Sequence, residues 1–312
     1  MTLIFSSGGG RLGNQLLNVI HLCAISYEYD IDVYKINDLF LTSKDGRLLF
    51  MIDKNIVNWK IFSNKTKIKT GYKLFLKLFI RIIHLYYFLM PNKRSYKLGL
   101  EDNLPKFIIG KNINKYLSIY ELIQEGINKD VVLSGWGLRE WDLVLKHKQL
   151  IVKNISQGFL EFLNFKKQIE DDYLFVHIRR SDFLDINEFK DLNFSDEIWL
   201  KSIKKICEIE SIKRVIIFSD SPLSNKISSF LKENNIFSEI ANLKNFKSNI
   251  FLEQFVNYLY YSKTVICNAS SLVLSLSFLF HEKIYLPSND EDFQKLSLNK
   301  AHKSYPSSLN WN

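Results

Sequence analysis

The chain has 312 residues, 46% of them apolar, with 24 Phe, 12 Gly and 5 Pro. That provides core for one large domain or two of ordinary size and excludes a disordered chain. Cys23, Cys207 and Cys267 lie far apart, with no CxxC and no His at ligand spacing, which argues against a disulfide framework and a structural zinc site and favours a reducing compartment. The formal charge of +9 is local: Lys54 to Leu100 holds eleven Lys or Arg and no Asp or Glu, so the rest of the chain sums to −2.

In chain order, Leu3 to Phe5 is a short apolar run, followed by Gly8, Gly9, Gly10 and Gly13. Apolar spacing at Leu16, Val19, Ile20, Cys23 and Ala24 predicts a helix over 15–29, and Ile31 to Ile36 reads as a strand. MTLIFSSGGG lacks the basic start and the length of a signal peptide, so a cytoplasmic location is expected. The region 38–130 reads as irregular. Val131 to Leu133 reads as a strand before Gly135, Trp136 and Gly137, and a helix is expected over 139–152.

Within the basic block, residues 72–90 have helical period. Lys73, Lys77 and Arg81 recur every four residues and His84 follows, with Phe75, Leu78, Phe79, Ile82, Ile83 and Leu85 around them, and Pro91 ends the run. A transmembrane span is disfavoured, because each of three charges would cost about 2.5–3.5 kcal/mol. A helix lying on an anionic membrane surface is one reading. A helix packed in the protein with its lysines in water is the other. Nucleic acid is not expected: no recognised binding module is present, and the aromatic residues alternate with aliphatic ones rather than basic ones.

The second half is more regular. Strands are expected at 173–179, 214–219, 236–240, 264–267 and 283–287, with helices at 196–209, 223–233, 249–262 and 271–280. Ser195 is the predicted N-cap of the first of these helices, with Asp196 and Glu197 in its first turn. The alternation predicts an α/β fold with a parallel sheet. Two halves are expected, 1–155 and 156–312.

Polar residues gather at one end of these strands, where open α/β sheets bind ligands. YLFVHIRRSD ends in His177, Arg179, Arg180 and Asp182. Paired guanidinium forks suit an anion with several oxygens. The plain alternative is a surface cluster neutralised by Asp171, Asp172 and Asp182. Ser219, Asp220 and Ser221 follow the next strand. Asn268, Ser270 and Ser271 follow the fourth at a helix start, which suits phosphate or ordinary capping. GGGRLGNQ does not have the spacing of a dinucleotide fingerprint or the Lys of a P-loop, but Gly10 and Gly13 allow close backbone approach beside Arg11, Asn14 and Gln15.

These motifs together resemble those of bacterial α-1,2-fucosyltransferases, glycosyltransferase family 11. GGGRLGNQ resembles the family's GGxGNQ loop and the GRxGNQ loop of protein O-fucosyltransferases. HIRRSD resembles the HxRRxD motif of α-1,2-, α-1,6- and protein O-fucosyltransferases. FSDS and NASSLVLSLSFL resemble the second and third motifs of family 11, with Ser221 in place of a second Asp and Leu272, Val273 and Leu274 in place of aromatic residues.

The resemblance implies a GT-B-type fold of two Rossmann-like halves. It also implies transfer of fucose from GDP-fucose with inversion, and no metal or other cofactor. Arg179 would hold the β-phosphate, Arg180 would support the motif and His177 would lie near the nucleotide. Ser270 and Ser271 would donate to the diphosphate, and Asn14 would face the fucose or β-phosphate. Asp220 joins them as a nucleotide-site candidate from its strand end. The general base is open among Asp182, Glu140 and Asp142. The expected partners are a nucleotide sugar and a glycan acceptor, lipid-linked in surface polysaccharide or O-antigen synthesis. Transfer of another nucleotide sugar, a non-catalytic relative and a basic nucleic-acid-binding protein are the alternatives.

Overall fold

A computed structural model describes residues 2–7, 12–36, 47–52, 57–62, 78, 81–83, 85–86, 89–90, 93–98, 106–109, 113–116, 130–135, 141–162, 169–180, 194–234, 237–242, 249–268 and 270–287. The chain forms two compact units, in the main Met1–Gly158 and Phe159–His302.

In the first unit, β1 (Thr2–Ser7), β2 (Asp32–Ile36), β3 (Arg47–Ile52), β4 (Val57–Phe62), β5 (Lys93–Leu98) and β8 (Asp130–Gly135) form one sheet in the order β4-β3-β2-β1-β8-β5. Strands β2, β1, β8 and β5 run parallel, and β3 and β4 add to the β2 edge antiparallel. A separate hairpin pairs β6 (Lys106–Ile109) with β7 (Ile113–Tyr116). Helix α1 (Leu12–Tyr29) connects β1 to β2 and buries Leu16, Val19, Ile20, Cys23 and Ala24.

Three expectations change here. The region 38–130, read as irregular, holds strands β3 to β7 among its described residues. Val57, Trp59 and Ile61 alternate with Asn58 and Lys60, a period of two that the density of lysines obscured. The helix after β1 starts at Leu12, about one turn before 15. The single helix expected over 139–152 is two, α2 (Trp141–Lys146) and α3 (Lys148–Phe162), meeting at His147. That joint is tied to α1: Lys146 Nζ donates to Glu28 at 2.7 Å, and His147 Nε2 lies 2.7 Å from the second Glu28 oxygen. Those two partners hold the Glu28 carboxyl below its usual range.

In the second unit, β9 (Tyr173–Ile178), β10 (Arg214–Ser219), β11 (Phe237–Asn242) and β12 (Thr264–Cys267) form an all-parallel sheet in the order β11-β10-β9-β12. Tyr285 bridges in parallel to Ile266, so the segment expected as a strand at 283–287 holds isolated bridge residues, 283 and 285, rather than a full strand. Helices α4 (Asp196–Ile209), α5 (Asn225–Glu233), α6 (Asn249–Tyr261) and α7 (Ser271–Phe280) cover it. Ser195 caps α4 as expected, its hydroxyl accepting from the Ile198 N–H at 3.4 Å.

Every residue of β9 is buried, as expected of a central strand covered on both faces. Leu174, Val176 and Ile178 pack with Trp199, Ile203 and Ile206 of α4 and Ile227 and Leu231 of α5. On the other face, Phe175 stacks on Phe218 at 5.1 Å and meets Phe255 of α6 edge-on at 5.2 Å. The alternation of β9 thus separates two cores.

Candidate functional site

The chain order of the second sheet runs outward from β9 to β11, then returns to β9's other side at β12. The switch point therefore lies between β9 and β12, where such sheets open a ligand crevice at the strands' carboxyl ends. HIRRSD ends β9 and NASS ends β12, so both motifs arrive there. The first sheet repeats the relationship within its own unit. β1 lies between β2 and β8, Ser7 is in register with Gly135, and the glycine loop follows Ser7.

Asn268 joins the two strand ends. Its Oδ1 accepts from the backbone N–H of Arg179 at 3.0 Å, and its Nδ2 donates to the Arg179 carbonyl. Asn268 is fully buried. Its side chain therefore stitches β12 to β9 at the switch point instead of capping α7.

Ser270 occupies the N-cap position of α7 with extended backbone, yet its side chain makes no capping hydrogen bond. Its carbonyl accepts from the Leu274 N–H at 2.8 Å. Ser271 opens the helix, and its carbonyl accepts from the Ser275 hydroxyl at 2.6 Å. Ordinary side-chain capping thus does not account for Asn268 or Ser270. The start of a helix with its side-chain cap unused suits an anion.

The adjacent arginines have different surroundings. Arg180 is two residues beyond Ile178 and lies toward α4. Its guanidinium pairs with Asp196, the first residue of α4, and its backbone N–H donates to Asp220 Oδ1 at 2.8 Å. Arg180 is therefore engaged in holding the strand end to α4. Asp220 shares that task, and its own N–H donates to the Ile178 carbonyl at 3.3 Å. Asp196 read from the sequence only as a first-turn acid, and no spacing rule pointed to its pairing with Arg180. Arg179 is half-buried, and its charge acts on His177.

His177 is 6% exposed, edge-on to Phe255 at 5.5 Å, and in register with Phe218 and Cys267. Burial, and then the charge of Arg179, push its pKa down to about 3 against the opposing pull of Asp220. It is a neutral imidazole at physiological pH. Its buried Nδ1 makes no hydrogen bond among the described residues.

Asp171 and Asp172 do not neutralise the arginines. They precede β9, where Asp171 pairs with Arg214 and Asp172 with Lys263, each at 3.5 Å. A six-residue strand, about 20 Å long, separates them from Arg179. Ser221 belongs to a tight turn: its N–H donates to Ser219 Oγ at 3.3 Å, and the Ser219 hydroxyl donates to its carbonyl at 2.6 Å.

Gly13 and Asn14 lie in the first turn of α1, Gly13 buried and Asn14 half-buried. Asp142 is exposed on α2. Gly10, Arg11, Asp182 and Glu140 lie outside the described residues, as do Lys73, Lys77 and His84 of the basic block. Among the described residues, no group of three or more His, Cys, Asp or Glu could hold a metal ion.

No protein-family model matches the chain, and no curated protein matches it. Among solved structures it is similar to POFUT1 in complex with GDP, at 12% identity and a TM-score of 0.44, covering 89% of this chain and 94% of that one. It is also similar to a mutant of Arabidopsis thaliana FUT1 in complex with GDP, at 9% identity and 0.45, covering 93% and 71%. E. coli heptosyltransferase WaaC with ADP is similar at 13% identity and 0.40, covering 92% and 88%. Likenesses at these identities and scores leave fold and function to be argued from the chain's own residues.

Proposed function

We propose that the protein is a glycosyltransferase of GT-B type. It would transfer fucose from GDP-fucose, with inversion and without a metal, to a hydroxyl of a sugar acceptor. The setting proposed is surface polysaccharide or O-antigen synthesis on a lipid-linked acceptor. The observation that supports this most is the arrangement at the β9–β12 switch point. The motif that resembles the fucosyltransferase HxRRxD sits at a strand end beside the switch point, with Arg179 fixed through its backbone by Asn268 and the start of α7 adjoining, an arrangement that would suit an anion.

In this reading the acceptor oxygen attacks the anomeric carbon of fucose. The bond from that carbon to the β-phosphate oxygen breaks, and GDP leaves with the electron pair. Arg179 stabilises the charge that grows on the diphosphate, as fixed cations do at a leaving group. Ser270, Ser271 and the free N–H groups of α7 bind the remaining phosphate oxygens. Arg180 and Asp220 keep the strand end in place. His177, being neutral, contributes a hydrogen bond and no charge. Asp182 receives the acceptor's proton. Asn14 is assigned by the motif resemblance to the fucose or β-phosphate.

A panel of nucleotide sugars tests the proposal through release of the free nucleotide, with and without glycan acceptors. Turnover is expected with GDP-fucose, and GDP is expected to raise the melting temperature. A ligand at 100 times its Kd stabilises by about 2.7 kcal/mol. Absence of both effects, or a shift caused by oligonucleotides instead, would overturn the reading.

A further inference from the structure

Leu78, Ile82, Leu85 and Leu89 are 53, 52, 57 and 66% exposed. Residues 78, 81–83, 85–86 and 89 are helical. At about 100° per residue, the spacing i, i+4, i+7 and i+11 puts the four side chains within roughly 60° of one another. Arg81 flanks this strip on one side and Tyr86 on the other, and both are exposed. Single exposed leucines are ordinary, but a contiguous apolar strip marks an interaction surface.

The surrounding charge indicates the occupant. Arg81 borders the strip, Lys73 and Lys77 precede it in the sequence at four-residue steps, and no acidic residue occurs between Lys54 and Leu100. A second copy of this helix would bring cations against cations, so self-association through the strip is opposed. An anionic bilayer surface satisfies both features: the apolar strip enters the acyl boundary while the cations meet headgroup phosphates. Crossing the bilayer is a different matter: among the described residues, no helix is long and apolar enough to do so.

We propose that the strip of Leu78, Ile82, Leu85 and Leu89, with Arg81 and its basic neighbours, seats the protein on an anionic lipid surface. This holds whatever sugar the protein transfers. The test is co-sedimentation of the full chain with vesicles of phosphatidylcholine, alone or mixed with phosphatidylglycerol. The wild type is expected to sediment at low salt with the mixed vesicles only, and added salt should release it as screening shortens the attraction. Arg81→Gln should weaken partitioning about fivefold, the share of one basic residue near such a surface.

Leu85→Glu combined with Leu89→Glu should abolish binding without changing the thermal melt, since both side chains lie in solvent. Should that melt change, Ile82→Asn makes the same test with one exposed residue. Failure of the wild type to sediment, binding unaffected by the glutamates, or a dimer in light scattering that the glutamates dissociate would each overturn the proposal.

Discussion

The side-chain amide of Asn268 satisfies both backbone hydrogen-bonding groups of Arg179, 89 residues away in sequence. This double contact makes the start of the proposed anion site part of the sheet rather than part of a loop. Asn268→Ala is expected to cost about 1–3 kcal/mol for each buried group left unpaired. A displaced Arg179 is also expected to slow transfer roughly a hundredfold, the usual cost of a small misplacement. Urea denaturation and single-turnover rates measure the two effects. Wild-type rates in Asn268→Ala would show that Arg179 needs no such support.

The two arginines should separate cleanly. Arg179→Ala is expected to remove transfer, by about 3–4 kcal/mol of barrier, with little effect on the melting temperature. Arg179→Lys should also be slow, because a point charge does not replace the fork. Arg180→Ala should instead destabilise the fold, since it removes the paired guanidinium from the partly buried Asp196 and leaves it only the influence of Ser224 and Lys226. The expected loss lies between the ~0–1 kcal/mol of an exposed pair and the ~3–5 kcal/mol of a buried one. If Arg180→Ala melted normally and Arg179→Ala did not, the roles would be reversed.

Acid should destabilise the protein through His177. Its folded-state pKa is pushed down to about 3, whereas the unfolded value is about 6.5. Above roughly pH 6.5 both states are neutral and there is no penalty. Between the two values the unfolded chain binds a proton that the folded one does not, so stability falls as pH falls. The contribution amounts to about 2 kcal/mol by pH 5. His281, also held down by burial, acts in the same direction. Urea midpoints at pH 7 and pH 5 should therefore differ less in His177→Gln than in the wild type. An equal difference in the two proteins would mean that His177 already titrates normally in the fold.

Transfer should proceed in EDTA if, as proposed, Arg179 supplies the positive charge at the diphosphate. The measurement is the rate of GDP release from GDP-fucose with and without chelator. Complete loss, restored by Mn²⁺, would reassign that charge to a metal.

The α/β character of the second unit was legible in local pattern. The bounds of α4, β10, β12 and α7 follow from the sequence residue for residue, because each carries a clean apolar period and a recognisable start. The polar strand ends were legible too, since buried strands such as YLFVHI make any cluster of His, Arg and Asp at their end conspicuous. In the first unit, β4 and β5 escaped notice because they lie within the basic block, whose charge reads more strongly than its period, and β3, β6 and β7, outside it, because RLLFMI, KFII and INKY are too uniformly apolar or too short to show a period of two.

What the sequence by itself determined is thus which residues are strand, helix and polar end, because those depend on neighbours a few positions apart. What only the tertiary structure decided is who meets whom. Asp171 and Asp172 stand two positions or fewer before β9, yet the strand carries them away from the arginines. Asp196 and Asn268, distant along the chain, are brought to those arginines by a helix on one face and the neighbouring strand on the other. Strand length and the order of strands in a sheet set such distances, and neither is written in any local spacing.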